Sequence, residues 1–353
     1  EFSIAVQPGN VWTKTFTIDE PTITAGNAEV LNERLVYQYK EKDAGDDAWQ
    51  TCSNGLEQVF SEHPSNKAYQ VRAFYREGIV SDVVDVTLET PAQLPNSGME
   101  EWSEDNYRGG RYSFNPWASD ETPFWDTNND FTTRHRYNWS GLWDNIANYN
   151  GFHAVSYVLG KNNTGLAAEL RSTANGRGNM VATIRDYNKV AGELFTGTTN
   201  VTVNHQSMTG DSNGGDDVYE RAKNASFPSR PTALTFYYKY APYNSDTWSV
   251  HIELLDENKN VIVQNDKTSS EAKNDWTQES VSLDYVDGTT YAKCKYIYVI
   301  FKSTVNEGAN MPYREIAQTF YVLENGALSA HTYEPAYVGS VLTIDDIELI
   351  YDK

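Results

Sequence analysis

Apolar and polar residues alternate with a period of two along most of this chain, the spacing of half-buried strands. Ser249-Val250-His251-Ile252-Glu253-Leu254 alternates cleanly and turns Val250, Ile252 and Leu254 inward. Ala233 to Tyr240 reads as another strand, and Lys295 to Lys302 as a central one, apolar on both faces. Nearer the start, Val11 to Ile18, Leu35 to Lys40, Ala68 to Gly78 and Ser81 to Thr90 read as short strands, with a turn over Asp43 to Asp47. Residues 1–93 show no amphipathic helical period, which predicts a β-sandwich of roughly 100 residues. Thr90-Pro91-Ala92-Gln93-Leu94-Pro95 is the expected linker, because two prolines disfavour helix and break a central strand. Residues 94–353 then form one larger all-β domain. Its Asn- and Gly-rich stretches, 103–150 and 197–230, are long enough to carry function or small elements of their own. A short helix is expected around Leu142 to Ala147.

The alternation changes phase once near the end. Leu342 and Ile344 fall in one phase, and Ile347, Leu349 and Tyr351 in the other. The shift falls at Asp345-Asp346, as a β-bulge or a buried carboxylate would require. The expected partner is the segment Leu94 to Trp102.

Composition narrows the class. Aromatic residues make up 13% of the chain, including 24 Tyr and 9 Trp, and mean hydropathy is -0.62. Disorder would need far fewer aromatics, so long polar loops on a β framework fit better. The net charge is -21, spread over both halves. Such a chain is repelled by nucleic acid and anionic membrane surfaces and favours a neutral or cationic ligand. Cys52 and Cys294 lie in different expected domains and read as two free thiols rather than a disulfide framework. No apolar run reaches the roughly 18 residues of a membrane helix. The sequence opens at Glu1 with no initiator Met and no signal peptide, which leaves room for a targeting segment ahead of it.

Two resemblances add to this. Tyr69-x-Val71-Arg72-Ala73 followed by Gly78, Ser81 and Thr90 resembles the second half of a fibronectin type III module, which implies a tyrosine-corner role for Tyr69. The second resemblance is carried by Asn96 to Trp102, Phe124 to Asn128, Gly165 to Leu170, Ala191 to Gly197, Arg230-Pro231 with Phe236 to Tyr240, and the Gly339 to Asp346 segment. In that order they resemble the carbohydrate metabolism domain family of gut Bacteroidetes. The resemblance implies an all-β protein with an N-terminal Ig-like or fibronectin-III-like β-sandwich followed by a larger β-sandwich jelly roll. It also implies a cell-envelope setting, often with lipid-anchored proteins of polysaccharide utilisation. Closing strands of this type occur in sugar-binding jelly rolls, which often hold a structural calcium between first and last strands. By that resemblance the ligands are Glu100 or Glu101 and Asp345. The alternative is that Asp345 accepts backbone N–H groups at a bulge with no ion.

Sugar rings stack on aromatic faces, and their hydroxyls need amides, carboxylates and guanidinium groups. That mixture is densest around Trp125, Asp126, Asn128 and Trp143, with Arg134, His135 and Arg136 among them. Trp125 is the preferred stacking residue, because Pro-Phe-Trp-Asp-Thr-Asn-Asn reads as a loop. Arg171, Glu193, Arg230 and Lys239 form a second group, of which Arg230 has backbone carbonyls as alternative partners. A glycoside hydrolase needs two carboxylates, about 5–5.5 or 6.5–9.5 Å apart. Asp126, Glu169 and Glu193 are candidates by placement, although no pair forms an obvious dyad. Histidine spacing excludes a zinc motif, and Gly210-Asp211-Ser212 lacks a nucleophile elbow. Gly214-Gly215 reads as a solvated turn or a second calcium loop. The expected function is therefore binding of an oligo- or polysaccharide in a jelly-roll pocket, with no cofactor required. The alternatives are a hydrolase in the same pocket and an adhesion or scaffold protein.

Overall fold

The computed structural model describes residues 1–64, 67–107, 111–119, 121–133, 152–175, 188–202 and 218–353. The expected helix near Leu142, Trp143 itself, Arg134 to Arg136 and the Gly210 to Gly215 turn lie outside the described residues. The chain is all-β, built of antiparallel sheets with a few short helical turns. No helix among the described residues is long and apolar enough to cross a membrane.

The larger sandwich has two facing sheets. One has five strands in the order Trp125–Thr127, Glu193–Thr196, Tyr296–Lys302, Trp248–Leu255 and Val261–Ser269. The other runs Val155–Leu159, Leu166–Asn175, Ala327–Ile350, Ala233–Ala241 and Lys273–Ser282. Asn188–Val190 and Arg314–Glu324 are added at its side. Val250, Ile252 and Leu254 point into the space between the sheets, as their alternation requires, and meet Phe236, Leu342 and Ile344 there. Each such fully buried side chain contributes about 1.5–3 kcal/mol. The Tyr296–Lys302 strand is central and apolar on both faces, with Ile297, Val299 and Phe301 inside and Tyr298 and Ile300 in a smaller outer cluster.

The phase change is a bulge. Thr235 pairs with Glu348, but Tyr237 pairs with Asp345, so one strand spends an extra residue. Asp346 takes a φ of 46°, and the bulge turns Ile344 and Ile347 into the same core. The Ile347 N–H bonds Ser97 O at 2.9 Å, which joins the closing strand to the 94–102 segment. Gln93 completes the seam by donating to Leu349 O at 2.7 Å and accepting from Leu349 N at 2.8 Å.

In the N-terminal sandwich, Gln50–Thr51, Val36–Glu41, Ala68–Arg76 and Ile79–Val80 form one sheet, with Val84–Thr87 also paired to Ala68–Arg76. Tyr69 is buried and packs its ring 4.9 Å from Phe60. Two expectations are corrected. A helix, Ala28–Arg34, forms where none was expected, capped by the Asn27 side chain on Val30 N at 3.2 Å. It buries no residue, so no apolar stripe marks it in the sequence. The Val11 to Ile18 strand is reduced to Thr15–Thr17, because the N–H groups of Thr13 and Lys14 turn away to Lys353 O. Cys52 and Cys294 are both free and buried.

Candidate functional site

Trp125 is not a ligand platform. It is completely buried in the core between the sheets, on a strand rather than a loop, and its indole N–H donates to Pro95 O at 2.7 Å. Arg230 is also corrected. It is buried, donates to Gly9 O at 2.7 Å and Val11 O at 2.6 Å, and pairs with Glu89 at 2.9 Å. It therefore ties the two sandwiches together, through the backbone carbonyls that were its alternative partners. Lys239 lies on the outer face of the seven-stranded sheet, its ammonium 4.8 Å from the Trp276 ring centre. Arg171 is buried, pairs with Glu169, and donates to Ser156 Oγ at 2.9 Å.

Glu100 and Asp345 come to one turn. Asp345 accepts from Lys161 N and Asp346 N, both at 2.7 Å, and Glu100 accepts from Leu166 N at 2.9 Å. Burial raises the Asp345 pKa, and the two N–H groups oppose it. Both oxygens of Asp345 thus accept backbone amides, and one oxygen of Glu100 does. Among the described residues no group of three or more His, Cys, Asp or Glu side chains is placed to hold a metal.

What the fold does assemble is the outer face of the five-stranded sheet. The register sets Asp126, Phe195, Ile300, His251 and Asp266 side by side across all five strands. In the next rows Glu193 lies opposite Lys302, and Tyr298 opposite Glu253. A hairpin, Thr198–Thr202 with Val218–Ala222, lies beside this face and returns two side chains to it. Tyr219 donates to Glu193 at 2.9 Å and Arg221 at 2.8 Å, while Lys302 reaches the same carboxylate at 2.8 Å. Asn128, buried, holds this strand by accepting from Glu193 N at 3.1 Å and donating to Ala191 O at 2.7 Å.

Tyr298 is the centre of the arrangement. Burial pushes its phenol up to about 12, while Arg221, which hydrogen-bonds it, pulls the other way and Glu193 and Glu253 push it further. It therefore links the Glu193 group to a second one. There Lys223 pairs with Glu253, and His251 lies 3.3 Å from Glu253 and 2.7 Å from Asp266. Tyr296 and Tyr298 project from the same face of their strand, each beneath a lysine. The Lys259 ammonium is 2.9 Å from the Tyr296 ring centre, and that of Lys223 is 4.9 Å from Tyr298.

Asp126 and Glu193 share this face but not a reaction geometry. Burial raises Asp126 to about 6, yet its oxygens accept from Thr127 N at 2.8 Å, Thr199 N at 2.7 Å and Thr199 Oγ1 at 2.5 Å. Glu193 is buried among three donors. Tyr298, His251, Glu253, Arg221 and Lys223 escaped the sequence reading. The signal was there for His251 and Glu253, which are the outward positions between Val250, Ile252 and Leu254.

No protein-family model matches the chain, and no curated protein matches it. Solved structures are similar at low identity. One is a carbohydrate-binding module of the β-sandwich superfamily, 8% identical, with 99% of this chain and 98% of that one covered and a TM-score of 0.27. The arabinose-bound α-L-arabinofuranosidase MgGH51 is 10% identical over 74% of this chain, with a TM-score of 0.32, and the chain spans only 26% of its length. SGBP-B from a complex xyloglucan utilization locus in Bacteroides uniformis is 10% identical, with 99% and 73% covered and a TM-score of 0.22. Scores this low carry no argument about ligand or mechanism, which rest on the face itself.

Proposed function

We propose that this protein binds an oligo- or polysaccharide along the outer face of the five-stranded sheet, at the cell envelope and behind an anchoring segment. The observation that carries this reading is Tyr296, half-buried on this face beneath the exposed Lys259 and next to the buried Tyr298. An exposed cation–π contact stabilises by only about 0.5–1 kcal/mol, so a sugar ring can displace Lys259 and stack in its place. Around the rings stand fixed guanidinium, carboxylate and imidazole groups suited to hydroxyls. The belonging to the carbohydrate metabolism domain family is part of the same proposal, supported by the resembling segments and the sandwich they build.

Binding is favoured over hydrolysis because Glu193 is enclosed by its donors and Asp126 is held by Thr127 and Thr199. The one feature suiting an acid catalyst is the raised Asp126. A glycan array on the full chain, with reducing-sugar release assayed on each hit, tests both readings. Binding lost in Lys259→Ala/Tyr296→Ala, without release, supports the binding protein. Release abolished by Asp126→Ala would replace it with the hydrolase, and an array without hits would sink both. An adhesion role is the second reading, since Val36, Phe74 and Val80 form one cross-strand apolar row in which Val36 and Val80 are exposed. Self-association abolished by Val80→Asp would favour it.

A further inference from the structure

The charge of the whole chain and the charge of this face point in opposite directions. At -21 the chain favours neutral or cationic ligands. On the outer face of the five-stranded sheet, however, the carboxylates are at the bottom and the cations on top. The Glu193 and Glu253 side chains are 2% and 4% exposed, against 30% for Arg221 and 45% for Lys223. Lys302 and His251 are 21% and 26% exposed.

Each buried carboxylate is also shared. Glu193 serves both Arg221 and Lys302, and Glu253 serves both Lys223 and His251. With the exposed Glu307 on Lys302 and Asp266 on His251, each half holds two carboxylates for two cations, the buried one beneath and the exposed one at the end. Hydrogen bonding to Glu253 raises the His251 pKa above its ordinary value, against the effect of burial. Lys259 adds a further cation, donating to the Lys223 carbonyl at 2.6 Å and covering Tyr296. Exposed acids stand at the ends, Asp266 beside His251 and Glu307 beside Lys302. Charges farther off are screened over about 8 Å at physiological salt, so a ligand seated between those ends meets mainly the cations.

We propose that the glycan taken by this face is acidic, a chain bearing uronic carboxylates that pair with Arg221, Lys223, Lys259 and Lys302 while one of its rings lies on Tyr296. This rests on the glycan-binding reading and names its ligand class. Ammonium and guanidinium bind carboxylates through charge-assisted hydrogen bonds, and a ligand carboxylate can pair with Lys259, the surplus cation, and with the exposed Arg221 and Lys223 that share their carboxylates.

The test is calorimetric titration of the full chain with oligogalacturonate, alginate and glucuronoxylan oligomers, beside neutral galacto-, gluco- and xylo-oligosaccharides of equal length. One acidic oligomer should bind at least about tenfold tighter than its neutral counterpart, and weaken about tenfold between roughly 20 and 500 mM salt. Lys223→Ala should weaken it about tenfold and weaken neutral glycans far less, with urea denaturation run beside the titration because the buried Glu253 loses an ion-pair partner. Equal or tighter binding of a neutral oligomer, lost in Lys259→Ala/Tyr296→Ala, overturns the acidic ligand and leaves the glycan-binding reading standing. No binding of any oligomer, charged or neutral, overturns both.

Discussion

The guanidinium of Arg230 lies 3.7 Å from the centre of the Trp12 ring, across the joint between the two sandwiches. Around this contact Lys293 reaches Glu89 at 2.8 Å, and Trp12 meets Tyr285 edge-on at 4.7 Å. At Gly9 an added Cβ would fall 1.8 Å from Tyr291 O, so the two parts approach backbone to backbone. Removing one partner of a buried ion pair costs about 3–5 kcal/mol. Arg230→Ala should therefore lower unfolding stability by that much in urea, leaving Glu89 buried with only Lys293 for charge. A loss below about 1 kcal/mol would show that the guanidinium does not hold the joint.

Trp125→Ala should be a stability variant rather than a binding variant. The indole is buried in the core and hydrogen-bonded to Pro95 O, and Trp to Ala in such a site costs about 3–5 kcal/mol. Thermal denaturation beside glycan titration checks this. An unchanged melting temperature with abolished binding would return Trp125 to the ligand site.

How far the chain could be read depended on how local each signal was. The bulge at Asp345-Asp346 was legible because a single extra residue flips every later side chain, and the alternation records it. The inward set of Val250, Ile252 and Leu254 was legible for the same reason. Trp125 was misplaced because its polar neighbours looked like loop, whereas Asp126 is satisfied by Thr199, which lies 73 residues away. Glu324-Asn325-Gly326-Ala327 was a hairpin signal left unread, with Asn325 and Gly326 both at positive φ. The belt around Tyr298 draws Glu193, Arg221 and His251 from other strands. Only strand register brings them together, and alternation along a single strand does not specify register.

Asp345→Ala should destabilise the closing bulge by about 1–3 kcal/mol, since it orphans the N–H groups of Lys161 and Asp346. Because both carboxylate oxygens already have these partners, the loss should be equal in calcium and in chelator. A rise in melting temperature with calcium, present in the parent and absent in the variant, would show an ion between Glu100 and Asp345.

His251 should give the face a pH-dependent stability. It meets Glu253 on its own strand, Asp266 on the next, and the Tyr298 ring at 6.3 Å, while Lys223 stands behind Glu253. Its pKa is raised from 6.5 chiefly by the Glu253 hydrogen bond, against burial and with help from Asp266. Burial pushes Glu253 up, but its bonds to His251 and Lys223 more than offset that and leave it lowered, so it stays ionised at neutral pH. A raised folded-state pKa means that the imidazolium is bound better by the folded chain. The stabilisation is complete below the unfolded value of about 6.5 and lost as pH rises through the folded value. Urea denaturation of the parent and His251→Ala should therefore show a wider stability gap near about pH 5.5 than near about pH 8.5. A gap that is constant, or that widens with pH, would show that His251 enters the belt as a neutral ring.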